Sequence, residues 1–425
     1  MKSGRFIVMG EYGTFMPYAH TAEKLGLRSE EVRRLVDRAL ISSGLEPESS
    51  YETKGASFRF AGISGLLSLD RNRWIEIVPK FIGETNADWR EDFLWIVGKT
   101  SSDGINYSSS IPSTSAKSSS LYDVIAKIWC DEFEANDRKP IRKYRQQTWR
   151  SFNVDGEIQG DLTEAANEDG FLQRGIVLTK QTLFNSLLRE AAEVLLKKCP
   201  SPQVSQRLAK AATRLGKRDP KFALSAVPVL PSRNSSWGAC MNLSKIIVSA
   251  SAIGYGKPEG LGMPSFIVKT HVTWEMLTRQ LCRSVFAGSS VSKATYDLGI
   301  RRKPGAKDGS LAVTPDVTVD TGSGAMLLFD AKYKPGGQQG AVSISNADIY
   351  ESLAFMEATR CDEIGLIYPS PEHVDATRQL LVTETVKVGG KTIKAMLLGV
   401  TGISRPQGWS LLVKSFRQAY EKSRS

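Results

Sequence analysis

Apolar positions along the chain switch between the spacing of helices and that of strands, and the switches lay out its elements. Trp74-Ile75-Glu76-Ile77-Val78 predicts a strand that Pro79 halts. Val32, Leu35, Val36 and Leu40 form a helical stripe, with Ser29 expected as the cap and Glu30 and Glu31 in the first turn. Residues 5–95 as a whole read as short strands and a helix. The stretch 100–120 is rich in serine and predicts an exposed linker. Helical spacing returns at Leu121, Val124, Ile125, Ile128 and Trp129, then over 183–198 and 203–216. The final third predicts a helix at 273–286, a hairpin at 311–333 and a helix at 347–359. A strand from Ile364 to Tyr368, a hairpin at 381–400 turning at Gly389-Gly390, and a helix at 409–422 complete it. This order of helix, strands, helix and strand is an α/β (mixed α+β) core. The expected division is a β-rich region over 1–120, a helical middle over 121–260 and an α/β domain over 261–425.

Composition narrows the function classes. Of 425 residues, 41% are hydrophobic and 24% charged, as in a globular protein with a real core. The net charge of +11 favours an anionic partner, and nucleic acid is the commonest one. No apolar run is long enough for a membrane span, and the N-terminus lacks a signal-peptide pattern, so the cytoplasm is expected. The five cysteines are scattered with no CxxC pair, which predicts reduced core thiols. With only three histidines, any metal must be held by carboxylates. Arg138, Lys139, Arg142, Lys143 and Arg145 stand among Tyr144 and Trp149, a mixture suited to a nucleic-acid backbone. A solvated turn explains the same stretch equally well.

The segment LAVTPDVTVDTGSGAMLLFDAKYK, residues 311–334, carries the chemistry. Strand side chains alternate between faces, so Asp330 and Lys332 share one. Pro315-Asp316 falls at hairpin spacing from them, which brings Asp316 near Asp330. Two carboxylates suit a hard divalent cation such as Mg²⁺. Such an ion lowers the pKa of a bound water and neutralises charge building on a phosphate. A lysine beside it can orient or deprotonate the water, or stabilise the developing charge. A D-x-K pair by itself is commonly a surface ion pair worth little. Here it closes the apolar run Leu327-Leu328-Phe329, where buried charge is costly. Upstream, Glu275 lies on an amphipathic helix with Trp274, Leu277, Leu281 and Val285. It is a candidate fourth member, or simply an acid favoured in an early helical turn.

Pro315-Asp316 with Asp330-Ala331-Lys332-Tyr333 resembles the PD-(D/E)XK nuclease superfamily. The chain as a whole resembles the McrC family, the nuclease subunit of modification-dependent, McrBC-like (type IV) restriction systems. Ile75-Glu76-Ile77-Val78-Pro79-Lys80 resembles that family's IxPK segment. Tyr144 with Val154-Asp155-Gly156-Glu157-Ile158 resembles its central stretch, and Phe184-Asn185-Ser186-Leu187-Leu188 its Asn-containing helix start. Asn346-Ala347-Asp348-Ile349-Tyr350 resembles the helix after the catalytic lysine. Two departures stand out: Glu351 replaces a common Gln, and Glu157 stands where a basic residue is usual.

The resemblance implies a restriction-endonuclease-like core using Mg²⁺, for which Mn²⁺ can substitute. Asp316, Asp330 and Glu275 would be its ligands and Lys332 its catalytic lysine. It implies double-stranded, modified DNA as substrate and an McrB-like AAA+ GTPase or ATPase ring as partner. The N-terminal region would enter that ring, with Arg73 and Lys80 on the partner surface. Nucleotide would be hydrolysed by the partner, because Val97-Gly98-Lys99-Thr100 is only the end of a phosphate-binding loop, with Phe93 where its first glycine should be. Two other functions fit the same sequence: a non-catalytic adaptor that binds DNA or activates a motor, and a stand-alone repair nuclease.

Overall fold

The computed structural model describes residues 5–70, 72–100, 120–160, 166–199, 201–252, 265–302, 309–322, 326–333, 343–370 and 380–422. Most of the serine-rich stretch and the turn centre Ser323-Gly324 lie outside them. The chain divides into two compact units, residues 1–121 with 253–425 and residues 122–252. The first and last thirds, separate in the expected three-part division, thus share one unit.

A strand crossing between those thirds is the reason. Phe266–Lys269 pairs antiparallel with Ile63–Ser68, in a sheet of order Arg5–Gly10, Arg73–Val78, Ile63–Ser68, Phe266–Lys269. Gly65 permits the approach: its φ is +117°, and a Cβ there would come 2.1 Å from the Phe266 carbonyl oxygen. Residues Val32, Leu35, Val36 and Leu40 of the helix Ser29–Ser42 bury against Ile75, Ile77 and Leu67. Ser29 is the first helical residue and not the cap. The Glu31 carboxylate satisfies the helix start instead, accepting the Arg28 amide at 2.9 Å. Val97–Thr100 is the last turn of the helix Trp89–Thr100, not a nucleotide loop.

The same unit holds a mixed six-stranded sheet. Its order is Ser290–Ser292, Val317–Asp320, Met326–Ala331, Glu363–Ser370, Lys391–Gly399, Leu380–Val388. The pairs at its middle are parallel: Met326–Ala331 with Glu363–Ser370, and Glu363–Ser370 with Lys391–Gly399. The helix Asn346–Thr359 makes the crossover that the first parallel pair requires. Phe355 and Met356 from this helix pack on Leu328, Ile364 and Leu366. Phe329 points into a cluster with Phe286, Phe416 and Tyr420, the last two from the helix Gly408–Lys422. Opposite Phe329 stands Gly365, where a Cβ would come within 2.8 Å of the ring. The apolar rows that bracket Asp330 are therefore buried on both faces.

The second unit was expected to be helical. It does hold the helices Leu183–Leu196, Pro202–Leu215 and Gly238–Ala252 and nearly all of Leu121–Asn136. It also holds a long hairpin, Lys143–Ser151 against Gly170–Thr179. Strand-like alternation there is masked in sequence, because Tyr144, Ile176 and Leu178 are exposed and break the in-out pattern. The five cysteines are free and buried, as expected. Among the described residues no helix is long and apolar enough to cross a membrane.

Candidate functional site

Proline splits the strand on which Asp316 was expected to sit. Pro315 has no amide hydrogen and biases Thr314 toward extended backbone, so ladder pairing stops there. Gly309–Val313 forms a separate hairpin with Tyr296–Arg301. The core strand Val317–Asp320 begins after the break, with Asp316 at the bend between them. The expected single hairpin over 311–333 is thus two structures. The correction leaves the chemistry in place. Val317 opposes Phe329, so the next antiparallel step brings Asp316 level with Asp330. The Ala331 amide donates to Asp316 Oδ2 at 3.1 Å and fixes that carboxylate beside the strand end.

Asp330 and Lys332 emerge on one side, as strand alternation predicts. Lys332 Nζ lies 2.6 Å from Asp330 Oδ2, 2.5 Å from Glu351 Oε2 and 3.6 Å from Asp348 Oδ1. Its backbone amide donates to the Ile367 carbonyl at 3.0 Å. Glu351, the departure noted in sequence, therefore grips the lysine itself. Asp348 is held in turn by Ser345, which caps its helix, and by the Tyr368 hydroxyl at 3.3 Å.

Glu275 joins the same cluster from the helix Thr270–Val285, in its second turn rather than its first. There the dipole argument for a structural acid is weak, since the effect fades beyond the first turn. Arg279 donates to Glu275, and Arg279 Nε also reaches the Asp316 carbonyl at 3.3 Å. Lys293 bridges Glu275 Oε1 at 2.8 Å and Asp316 Oδ1 at 3.1 Å. Sequence reasoning missed Lys293 and Arg279. The i, i+4 spacing of Glu275 and Arg279 was a readable signal; Lys293 gave none.

The cluster is short of positive charge. Five carboxylates (Glu275, Asp316, Asp330, Asp348, Glu351) meet three cations (Arg279, Lys293, Lys332) among the described residues, which leaves two negative charges. Burial pushes the Asp330 carboxyl up to about 6; Lys332 pulls it back and Asp316 adds to the rise. Burial works against the Lys332 charge, but Asp330 and Glu351 outweigh it and raise its pKa. For Lys293 the hydrogen bonds to Glu275 and Asp316 likewise overcome burial.

No three metal-ligating side chains already converge among the described residues. The Lys293 ammonium instead stands where two carboxylates present hard oxygen donors, and so marks that space as one a cation occupies. A donor set of oxygen only, with a deficit of two positive charges, fits a hard divalent ion.

The other candidate residues lie apart from this cluster. Arg73 pairs with Asp70 at 2.7 Å and donates to the Gly26 carbonyl at 3.3 Å. Lys80 turns toward its own chain, 3.9 Å from the Tyr333 ring centre and 5.2 Å from that of Tyr12. In the second unit Lys143 pairs with Asp219 at 2.7 Å and Arg145 donates to Gln181 at 3.0 Å, both near the base of the long hairpin. Arg138, Lys139 and Arg142 are exposed.

A family model described as McrBC 5-methylcytosine restriction system component matches residues 58–369. No curated protein sequence matches the chain. Among solved structures, a chain of a refined half-complex from a tetradecameric assembly of Thermococcus gammatolerans McrB AAA+ hexamers with bound McrC is similar. It is 12% identical with a TM-score of 0.66, over 97% of this chain and 99% of that one. A chain of the Thermococcus gammatolerans McrBC complex is 12% identical with a TM-score of 0.49, over 66% of this chain and 88% of that one. The half-complex chain shares the fold; the family model spans well over half of the sequence and both sides of the carboxylate cluster. The chain belongs to the McrBC 5-methylcytosine restriction system component family.

Proposed function

We propose that this chain is the DNA-cleaving subunit of its restriction system, a divalent-metal-dependent endonuclease. The carrying observation is the cluster around Asp316, Asp330, Glu275 and Lys332, in which carboxylates outnumber cations by two among the described residues. Asp316, Asp330 and Glu275 would hold Mg²⁺ or Mn²⁺. When bound, the ion supplies an activated water and a counter-charge for the phosphate. Lys332 stays protonated at neutral pH, so it serves as a charged donor that orients the water or the scissile phosphate. Asp330 and Glu351 hold that ammonium in one place, and the Ala331 amide does the same for Asp316. With a metal held by Glu275 and Asp316, Lys293 would lose these partners and stand beside the site, where a DNA phosphate would take their place.

The substrate is double-stranded DNA carrying modified cytosine, a reading supported by the family description. The exposed Arg138, Lys139 and Arg142 are the proposed backbone contacts, with Lys143 and Arg145 behind them. The partner is an McrB-like AAA+ ring, a reading supported by the family and by the likeness to a chain from an assembly of McrB AAA+ hexamers with bound McrC. Nucleotide hydrolysis falls to that ring.

The test is cleavage of methylated plasmid in Mg²⁺ or Mn²⁺, with the ring and nucleotide present, comparing wild type with Lys332→Ala. Cutting by wild type alone supports the nuclease and its site together. If neither protein cuts under these full conditions, the adaptor reading replaces it.

A further inference from the structure

We infer that Glu11, Tyr333 and Lys80 form a positioning device for the catalytic lysine, joining the N-terminal sheet to the end of the catalytic strand. The inference rests on the nuclease reading above. Lys332 lies just past the strand Met326–Ala331, so the ladder no longer holds its backbone on both sides. One tie is its own amide to the Ile367 carbonyl at 3.0 Å. The next residue provides the other. The Tyr333 hydroxyl donates to Glu11 Oε2, from a segment more than three hundred residues away in sequence.

Glu11 is built into its place. It is 3% exposed and follows the strand Arg5–Gly10. Its carboxylate also accepts the Thr270 hydroxyl at 2.7 Å and the Lys80 amide at 3.2 Å. One carboxylate thereby ties together the N-terminal strand, the residue after Pro79, the first residue of the Glu275 helix and the residue after Lys332. The Lys80 ammonium caps the arrangement from above the Tyr333 ring, at 3.9 Å from its centre. Phe81 packs edge-on against the same ring and stacks on Trp274, whose indole N–H donates to the Ile367 carbonyl at 3.1 Å. That carbonyl is also the acceptor for the Lys332 amide. The Pro79-Lys80-Phe81 segment therefore supports the catalytic lysine from both ends of one loop of contacts.

A buried carboxylate costs free energy unless its partners are all supplied, and an apolar plug would pack this place at lower cost. Such a group persists where direction matters more than stability. Displacing Lys332 by a fraction of an ångström would misalign its ammonium against Asp330, and positioning losses of this kind are of order 10–100-fold for groups one bond removed from a metal site.

The test uses full-length Tyr333→Phe, which keeps the ring and removes only the donor, and the pair Tyr333→Phe with Glu11→Gln. The pair removes the buried charge; the Gln oxygen can still accept the Lys80 amide, while its NH2 faces the Thr270 hydroxyl, which can turn to accept. Tyr333→Phe is expected to lower kcat about 10–100-fold, with KM for plasmid and calorimetric Mn²⁺ binding within about twofold of wild type. Hydrogen exchange of peptides covering 327–333 should rise in both variants. The pair should recover melting temperature but not kcat. If kcat returns with melting temperature, or if exchange over 327–333 is unchanged in Tyr333→Phe, the positioning role is overturned. Loss of cleavage in wild type as well would sink the nuclease reading instead, while the exchange measurement still decides whether the tie holds the strand end.

Discussion

Two sheets of one compact unit each bury a carboxylate, and the two are treated oppositely. Glu76 lies in the first sheet, fully buried. Arg90 pairs with it at 2.7 Å, and the Leu121 amide donates at 2.8 Å. Burial raises its pKa and Arg90 opposes the rise. Its charge is answered, and nothing further is asked of it. Asp330 lies in the six-stranded sheet with Lys332 as its cation, but Asp316 stands beside it and Lys332 is shared with Asp348 and Glu351. A buried carboxylate with a whole partner is architecture. One left among other acids, with fewer cations than acids among the described residues, is a place prepared for something else.

That contrast breaks most visibly under substitution. Asp330→Ala and Lys332→Ala should each cut cleavage by about a thousandfold or more, since the proposed nuclease site needs both groups at its reacting centre. Circular dichroism should show both still folded. Glu76→Ala should do the reverse. Leaving Arg90 without its buried partner costs about 3–5 kcal/mol of stability, read as a drop in melting temperature, while cleavage per folded molecule is kept. Equal loss of activity in Glu76→Ala would erase the distinction between the two sheets.

Acid sharpens the comparison. The folded Asp330 carboxyl titrates near 6, above the unfolded value near 3.8. The native state therefore takes up its proton first as pH falls, so this group's destabilising effect is fully present above 6 and fades between 6 and 4. On the proposed reading, protonation also removes a ligand for the metal. Cleavage should fall as pH drops through 6 while melting temperature, for this group, rises; Asp330→Asn should abolish that rise. The smallest effect belongs to Glu351→Gln. It loosens one of the holds on Lys332 without removing a ligand, and a several-fold change in kcat with unaltered Mn²⁺ affinity is expected.

The part of this site carried by one short segment was legible in sequence. Strand alternation put Asp330 and Lys332 on one side, and the departure at Glu351 falls on a residue that pairs with that lysine. What was not legible depends on contacts without local signal. Nothing near Phe266–Lys269 announces a partner strand two hundred residues earlier, so the first and last thirds read as separate domains. Pro315 is different: its missing amide hydrogen is visible in the sequence and is reason enough to end a strand. Lys293 looks like any surface lysine until the fold sets it between Glu275 and Asp316. Lys80, expected to face a partner, is turned inward by two aromatic rings whose sequence positions give no hint of convergence.

The most direct test of the central claim is calorimetric titration of Mn²⁺ into the protein alone, wild type beside Asp330→Asn, near pH 6. Wild type should bind with a measurable heat at a defined stoichiometry and liberate protons to the buffer, as the Asp330 carboxyl exchanges its proton for the ion. The variant should bind far more weakly and without that proton release. Identical isotherms for the two proteins would mean that the charge-deficient cluster is not the metal's seat.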